Sequence, residues 1–292
     1  MPLDSSQCES ERSALSAVLS DKDFKRLSRF VHDTCGIKMP IAKRTMLEGR
    51  LRKRLNHLGI ESFGEYCDYL FSPAGAESEC VHMIDVVTTN KTDFFRESAH
   101  FDFLLRSVLP ELVGSLGLGR NSPLNIWSAG CSTGEEPYTL AMVLSEFAEK
   151  CSGFRFSVLA TDVSTRVLEK ARRGVYEDER AAPVSITYRT KYLMRSKDRF
   201  RRLVRIVPEL RHMVKFRRLN FMDDDFGILD PISVIFCRNV MIYFDRPTQE
   251  KVLNRLCQYL IPGGYLFTGH SETLHNLEVP LAPAAATVYR RI

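Results

Sequence analysis

From residue 20 to about 116, apolar side chains recur at helical spacing; beyond Pro123 they gather into short runs that alternate with helical stretches. "LSDKDFKRLSRFVHDTCGI" has Ser20 as an N-cap, apolar positions 24, 27, 30 and 31, and Gly36 as a stop. "AKRTMLEGRLRKRLNHLG" places Met46, Leu47, Leu51, Leu55 and Leu58 on one face, and Gly59 ends it. "SFGEYCDYLF" and "ESECVHMIDVVTT" predict two more helices, and a further helix covers roughly 98–116. No strand pattern occurs before residue 120, and "GSLGLGRNSP" reads as a linker. Then "LNIWSA", "FRFSVLATD", "PISVIFCRNVMIYF" and "GGYLFTGHS" predict strands, with helices in "EPYTLAMVLSEFAEK", "STRVLEKARRG" and "PTQEKVLNRLCQYL". This alternation predicts an α/β fold, a mostly parallel, doubly wound sheet covered on both faces. "RFRRLVRIVP" and "HMVKFRRLNF" alternate with period two and predict an antiparallel hairpin inserted as a small β-subdomain at about 186–220. The expected division is a flexible N-terminus (1–19), an all-α domain (20–90), a connecting helix and linker (91–122) and the sheet domain (123–292).

Composition narrows the setting. No apolar run approaches the roughly 20 residues of a membrane span, and the first 20 residues lack a secretory-signal pattern. The eight cysteines include no C-x-x-C pair, so they read as reduced, mostly buried thiols of a cytoplasmic protein. No metal site is expected. The net charge of +5 is unevenly spread: residues 189–218 hold twelve Lys/Arg against Asp198 and Glu209. A second basic run covers residues 43–54. Such runs are either solvated faces or contacts for an acidic partner.

The chemistry centres on "SAGCSTGEEPYT" (128–139), a loop between the first strand and its helix. Gly130 to Gly134 match the G-x-S-x-G of serine hydrolases, with Ser132 as the nucleophile. However, that site needs an oxyanion-hole loop from an earlier strand, and the chain before this loop is helical. A dinucleotide fits no better: G-x-G-x-x-G is absent, and Glu135 and Glu136 stand at the helix N-terminus where a pyrophosphate would go. Those carboxylates suit a ligand bearing an ammonium or sulfonium, or else simply complement the helix dipole. Asp162 closes the second strand, where an acid hydrogen-bonds a ribose diol. A nucleoside with positive charge and no phosphate points to S-adenosylmethionine. His270 reads as a structural hydrogen-bonding group.

The stretches "TTNKTDFFRE" (88–97), "SAGCSTGEEPYT", "ATD" (160–162), "LNF" (219–221), "IFCRNVMIYFD" (235–245) and "GHSE" (269–272) occur in that order. Together they closely resemble the chemotaxis receptor glutamate methyltransferases, the CheR-type enzymes, over about residues 20–275. The resemblance implies methyl esterification of receptor glutamates with S-adenosylmethionine, on a methyltransferase domain with a β-subdomain and a small helical N-terminal domain. Mapped by motif, it implies cofactor contacts from Asn90, Thr92 and Arg96, and from Glu135 or Glu136 at the methionine end. It further implies Asp162 at the ribose, Asn220 and Phe221 beside the adenine, and Cys237 and Arg238 along the site. Tyr243 is implied near the transferred methyl, and Arg96 or Arg238 as a clamp for a carboxylate. The helix 43–58 resembles the family's receptor-contacting element, which nominates Arg50, Lys53 and Arg54 as substrate-binding.

The acceptor glutamate is ionised at neutral pH, so no general base is needed. The implied partners are acidic receptor methylation helices, met by a monomer without membrane insertion. The loop "RSKDRFRR" lacks the glycine of the family's peptide-docking hairpin, which argues against a pentapeptide tether. An RNA methyltransferase is the rival reading, since phosphates suit a basic segment, but no aromatic-interleaved platform accompanies it. A cofactor-binding module without turnover is the third.

Overall fold

The computed structural model describes residues 18–198 and 200–292. Most of the stretch read as a flexible N-terminus, together with Cys8 and Arg199 of the basic run, lies outside the described residues. The chain divides into two compact units, one ending at Thr89 and one running from Asn90 to Ile292.

Among the described residues the first unit has four α-helices: α1 (Asp21–Cys35), α2 (Arg44–Leu58), α3 (Phe63–Leu70) and α4 (Pro73–Val87). Their ends follow local chemistry. Ser20, Ser62 and Ser72 each accept an N–H from three residues on. Gly36, at φ 72°, ends α1 in the left-handed conformation that a side chain would strain. Leu27, Val31, Leu47, Leu51, Leu55 and Tyr66 form the buried core, on the helical stripes the apolar spacing predicts.

The second unit opens with α5 (Ala99–Phe103), which continues through a π-helical turn (Leu104–Val108) into α6 (Leu109–Leu116). The strands β1 (Leu124–Ala129), β2 (Phe156–Asp162), β6 (Val214–Arg218), β7 (Ile232–Cys237), β8 (Leu260–Thr268), β9 (Leu281–Ala285) and β10 (Val288–Arg291) form a seven-stranded sheet. Its order is β6-β2-β1-β7-β8-β10-β9. β6, β2, β1, β7 and β8 run parallel, and β10 and β9 add an antiparallel edge. The chain leaves β1 toward β2 on one side, and β7 flanks β1 on the other. The carboxyl end of β1 is therefore the switch point where ligands bind in such sheets. The helices α7 (Glu135–Lys150), α8 (Thr165–Arg173) and α11 (Arg246–Tyr259) connect the parallel strands.

The expected hairpin at 186–220 is corrected. β5 (Leu203–Ile206) pairs antiparallel with β3 (Val175–Glu177) and β4 (Leu193–Arg195) in a separate three-stranded sheet. "HMVKFRRLNF" instead supplies β6, which pairs parallel with β2, Phe216 opposite Ala160. Between α9 (Ile186–Tyr192) and β6, the short α10 (Pro208–Met213) starts at Pro208 and separates the two sheets. The period-two pattern has a physical source at β6. It is an edge strand with Val214 buried and Lys215 exposed, so it alternates as a hairpin strand does. Among the described residues no helix is long and apolar enough to cross a membrane.

Candidate active site

The loop after β1 bends over the end of β2. The amides of Gly130 and Cys131 both donate to the Thr161 carbonyl, at 2.8 and 2.9 Å. Gly130 sits at φ 88°, and a Cβ there would lie 2.5 Å from Val240 Cγ2, so only glycine fits. Ser132 is also left-handed, at φ 50°. Its amide donates to Asp162 Oδ2 (2.9 Å), and its hydroxyl to the Asn90 carbonyl (3.1 Å). A hydroxyl spent on a backbone carbonyl is not paired with a base, so Ser132 shapes the turn. Asp162 Oδ1 accepts from the Ser164 amide at 3.0 Å. Two amide donors thus orient this buried carboxylate at the tip of β2 before any ligand arrives.

Glu135 and Glu136 do stand at the N-terminus of α7, but neither is a bare charge. Glu135 is fully buried; it accepts from Thr133 Oγ1 (2.6 Å) and pairs with Arg180 Nη2 (2.6 Å). The same Arg180 nitrogen reaches the carbonyl of the buried Thr92 (2.9 Å). Glu136 accepts from Ser128 Oγ (2.7 Å) and pairs with Arg238 Nε (2.7 Å). Each carboxylate is matched by an arginine, from 45 and 102 residues away. Packing separates the two glutamates. The Glu135 side chain is wholly enclosed, whereas that of Glu136 keeps 11% exposure.

Arg238 is more deeply committed than a clamp for substrate would be. Its Nη1 donates to the Arg96 carbonyl (2.7 Å) and His100 Nδ1 (3.1 Å), and lies 3.4 Å from Glu97 Oε2. The rings of Phe101 and Phe236 flank it at 5.3 and 5.5 Å. Its side chain is 2% exposed. A guanidinium can only donate, so His100 Nδ1 accepts and Nε2–H faces Thr287 Oγ1 at 2.8 Å. Burial, and then the Arg238 charge, push His100 down to about 4. Glu97, His100 and His270 bring donor atoms within 4.8 Å of one another. Arg238 sits against the first two, so a guanidinium already serves this cluster electrostatically. The His270 amide donates to Glu97 Oε1 (3.3 Å), and its ring meets His100 edge-on. Arg96 differs. It is half-buried, donates from Nη1 to the Lys91 carbonyl (3.0 Å), and pairs with no carboxylate among the described residues.

Beyond β7 the chain turns through Asn239, at φ 59°, into a 3₁₀ turn (Met241–Tyr243) that carries the half-buried Tyr243. Glu272 holds this turn. Its buried carboxylate accepts from the amides of Asn239 (2.7 Å), Gly269 (2.6 Å) and Ile242 (3.2 Å). Cys237, expected along the site, is fully enclosed, and burial pushes its thiol well up, so it acts by packing. On the other flank, the Leu219 amide donates to the Asp162 carbonyl (3.0 Å), which sets Asn220 and Phe221 directly after it. Phe221 meets Phe226 and Phe244 edge-on, and Asn220 Oδ1 accepts from the Met222 amide (3.1 Å). Among the described residues, Phe95, Glu97, Ser132 and Asn239 are four of the six non-glycine residues with left-handed backbone, and all four fall in these segments. Such strain gathers where a site must hold an unusual shape. Ser128, Arg180 and Glu272 escaped sequence reasoning. Ser128 and Glu272 left a trace, as the start of "SAGCSTGEEPYT" and the end of "GHSE".

The nominated substrate residues of α2 separate. Arg50 donates to the carbonyls of Val87 (2.6 Å) and Thr88 (3.1 Å), closing the end of α4. Arg54 forks onto the fully buried Glu79, which also accepts from Tyr66 Oη (2.9 Å). Both arginines are therefore engaged inside their own unit, and Lys53 alone of the three is exposed. Arg54→Ala leaves Glu79 buried and unpaired, so it should cost about 3–5 kcal/mol, while Lys53→Ala should stay within about 0.5 kcal/mol. Urea denaturation followed by circular dichroism compares them; equal effects would refute this division.

Two family models match the chain. "CheR methyltransferase, all-alpha domain" matches residues 22–88, and "CheR methyltransferase, SAM binding domain" matches residues 90–289. Among similar proteins is a chemotaxis protein methyltransferase of Borreliella burgdorferi, 40% identical over 90% of this chain and 93% of that protein. One of Escherichia coli is 39% identical over 93% and 91%. A chemotaxis protein methyltransferase 2 of Pseudomonas aeruginosa is 36% identical over 92% of each. Motif order, sheet topology and these matches agree: the chain belongs to the CheR methyltransferase family, the S-adenosylmethionine-dependent methyltransferases of chemotaxis.

Proposed function

We propose that this protein transfers the methyl group of S-adenosylmethionine to glutamate side chains of chemoreceptors, forming methyl esters in chemotaxis adaptation. The observation that carries the reading is the fixed Asp162 carboxylate beside the Gly130–Gly134 turn, at the switch point of a domain matched as S-adenosylmethionine-binding. The residues present fit that cofactor. Gly130 keeps the turn clear of a side chain, and Asp162 is set as a ribose acceptor. Glu136 keeps some exposure and is the better of the two glutamates for an ammonium. When bound, the cofactor supplies a methyl on sulfonium, already activated for attack by a carboxylate of pKa about 4.3.

The chain's own residues then have to position rather than deprotonate. Asn220 and Phe221 border the adenine, and Asn90 and Thr92 border the opposite side. Arg96, which has no acidic partner among the described residues, orients a carboxylate, and Tyr243 borders the acceptor. Holding the acceptor in line is worth up to roughly 7–11 kcal/mol, whereas tight pairing of the acceptor would slow transfer. The protein should act in the cytoplasm on acidic receptor helices. Incubation with methyl-labelled S-adenosylmethionine and receptor-rich membranes tests this. Base-labile label on receptors is expected, lost together with cofactor binding in Asp162→Ala. Stable label in added RNA, or none in receptors, would overturn the reading.

A further inference from the structure

The first turn of α8 follows Asp162 almost directly, so this helix borders the proposed cofactor loop. Val167, Leu168 and Ala171 are buried. The opposite face carries Arg166, Lys170 and Arg173, at i, i+4 and i+7, all exposed. That spacing makes a basic stripe roughly 10 Å long. A cavity of about 410 Å³ opens between this stripe and the loop, lined by Arg166, Glu169, Lys170 and Arg173 on one side and by Asn90 and Thr133 on the other. Glu169 is its one acid, and its pair with Arg173 is long, 4.0 Å, between side chains 65% and 76% exposed. Such a pair holds little energy and yields readily to a better acceptor.

Several side chains of the other basic runs are already engaged. Arg50 and Arg54 serve their own unit. In the run 189–218, Lys191 bridges Glu146 and Glu149, Arg189 pairs with Asp178, and Arg217 donates to the Phe226 and Gly227 carbonyls. The basic side chains that line this cavity all come from α8.

We propose that this α8 groove docks an acidic polypeptide segment, the carboxylate-rich stretch flanking the glutamate to be methylated. This rests on the function proposed above. Cations at one helical stripe's spacing match carboxylates repeating along an acidic helix laid beside them. Asn90 and Thr133 make the groove continuous with the loop, so a segment held there enters beside the site.

The test uses the full chain with Lys170→Glu/Arg173→Glu and, as a milder pair, Lys170→Gln/Arg173→Gln. For the charge reversal, the receptor KM should rise about tenfold at low salt and converge on wild type as salt is added, with kcat and cofactor affinity unchanged. The neutral pair should fall between. Binding of labelled poly-L-glutamate is read separately and should weaken in the same order. An unchanged receptor KM, or poly-L-glutamate binding indifferent to both pairs, would overturn the proposal. So would total RNA competing at wild-type α8 where poly-L-glutamate does not. If wild type fails to label receptors yet poly-L-glutamate binding still follows the α8 charge, the substrate reading has failed and the acidic-polypeptide groove stands.

Discussion

Arg238→Ala should destabilise the second unit by about 3–5 kcal/mol, the range for breaking a buried ion pair by removing one partner. The cause is what the guanidinium leaves behind. Glu136 keeps its hydrogen bond from Ser128, and the Arg96 carbonyl and His100 Nδ1 lose the donor described above. Arg238 is the shortest tie between the segment 96–100 and the end of β7, with Asn239 Nδ2 donating to Glu97 Oε1 at 3.4 Å beside it, so the segment should loosen when the guanidinium is lost. Arg238→Lys restores the charge but not the fork, since an ammonium cannot span Glu136 and the Arg96 carbonyl at once, and it should recover less than half of the loss. Thermal denaturation of the three proteins decides the matter. A loss below about 1 kcal/mol for the alanine variant would mean that the site tolerates an unpaired Glu136.

Glu272→Gln should lower kcat by about 10–100-fold while leaving cofactor affinity near wild type, because misplacing a positioned group by about 1 Å can cost that much. The carboxylate of Glu272 gathers amides from both sides, Asn239 and Ile242 after β7 and Gly269 after β8. Glutamine keeps one acceptor oxygen and turns an NH₂ against the remaining donors. The turn that carries Tyr243 should shift, with Asp162 and its loop untouched. Burial holds the Glu272 carboxyl above the usual carboxylate range, against the pull of its amide donors. The folded chain therefore keeps this proton more tightly than the unfolded chain. Its contribution to stability falls as pH rises from the ordinary glutamate value to the raised one. The glutamine variant should lose that slope. Steady-state kinetics with calorimetric cofactor binding, together with stability measured against pH, would sink this account if kcat stayed within twofold.

Much of the scaffold was legible because its determinants are local. The cap at Ser20, the stripes of α1 and α2, and the apolar runs of β1, β2 and β7 all follow from neighbouring residues. Strand partnership is not local. The alternation in β5 and β6 is the same whether they pair with each other or, as here, with different sheets. Charge was the least legible. Glu135 and Glu136 look like a bare acidic pair in sequence, yet their arginines arrive from Arg180 and Arg238. Likewise Arg50 and Arg54 read as a surface for partners, although one closes a helix and the other neutralises Glu79. A list of charges along a chain carries no record of which ones the fold has already consumed.

The left-handed backbone at Phe95, Glu97, Ser132 and Asn239 bears on how this protein can be engineered. A non-glycine residue held in that region costs of order 1–3 kcal/mol, so glycine at each position offers relief. A screen that rewards heat resistance should therefore enrich such replacements at these positions, because they relieve strain there. They would also remove the hydroxyl that Ser132 sends to Asn90 and the carboxylate that Glu97 sets against Arg238. Selection for thermostability and selection for turnover should pull these four positions in opposite directions.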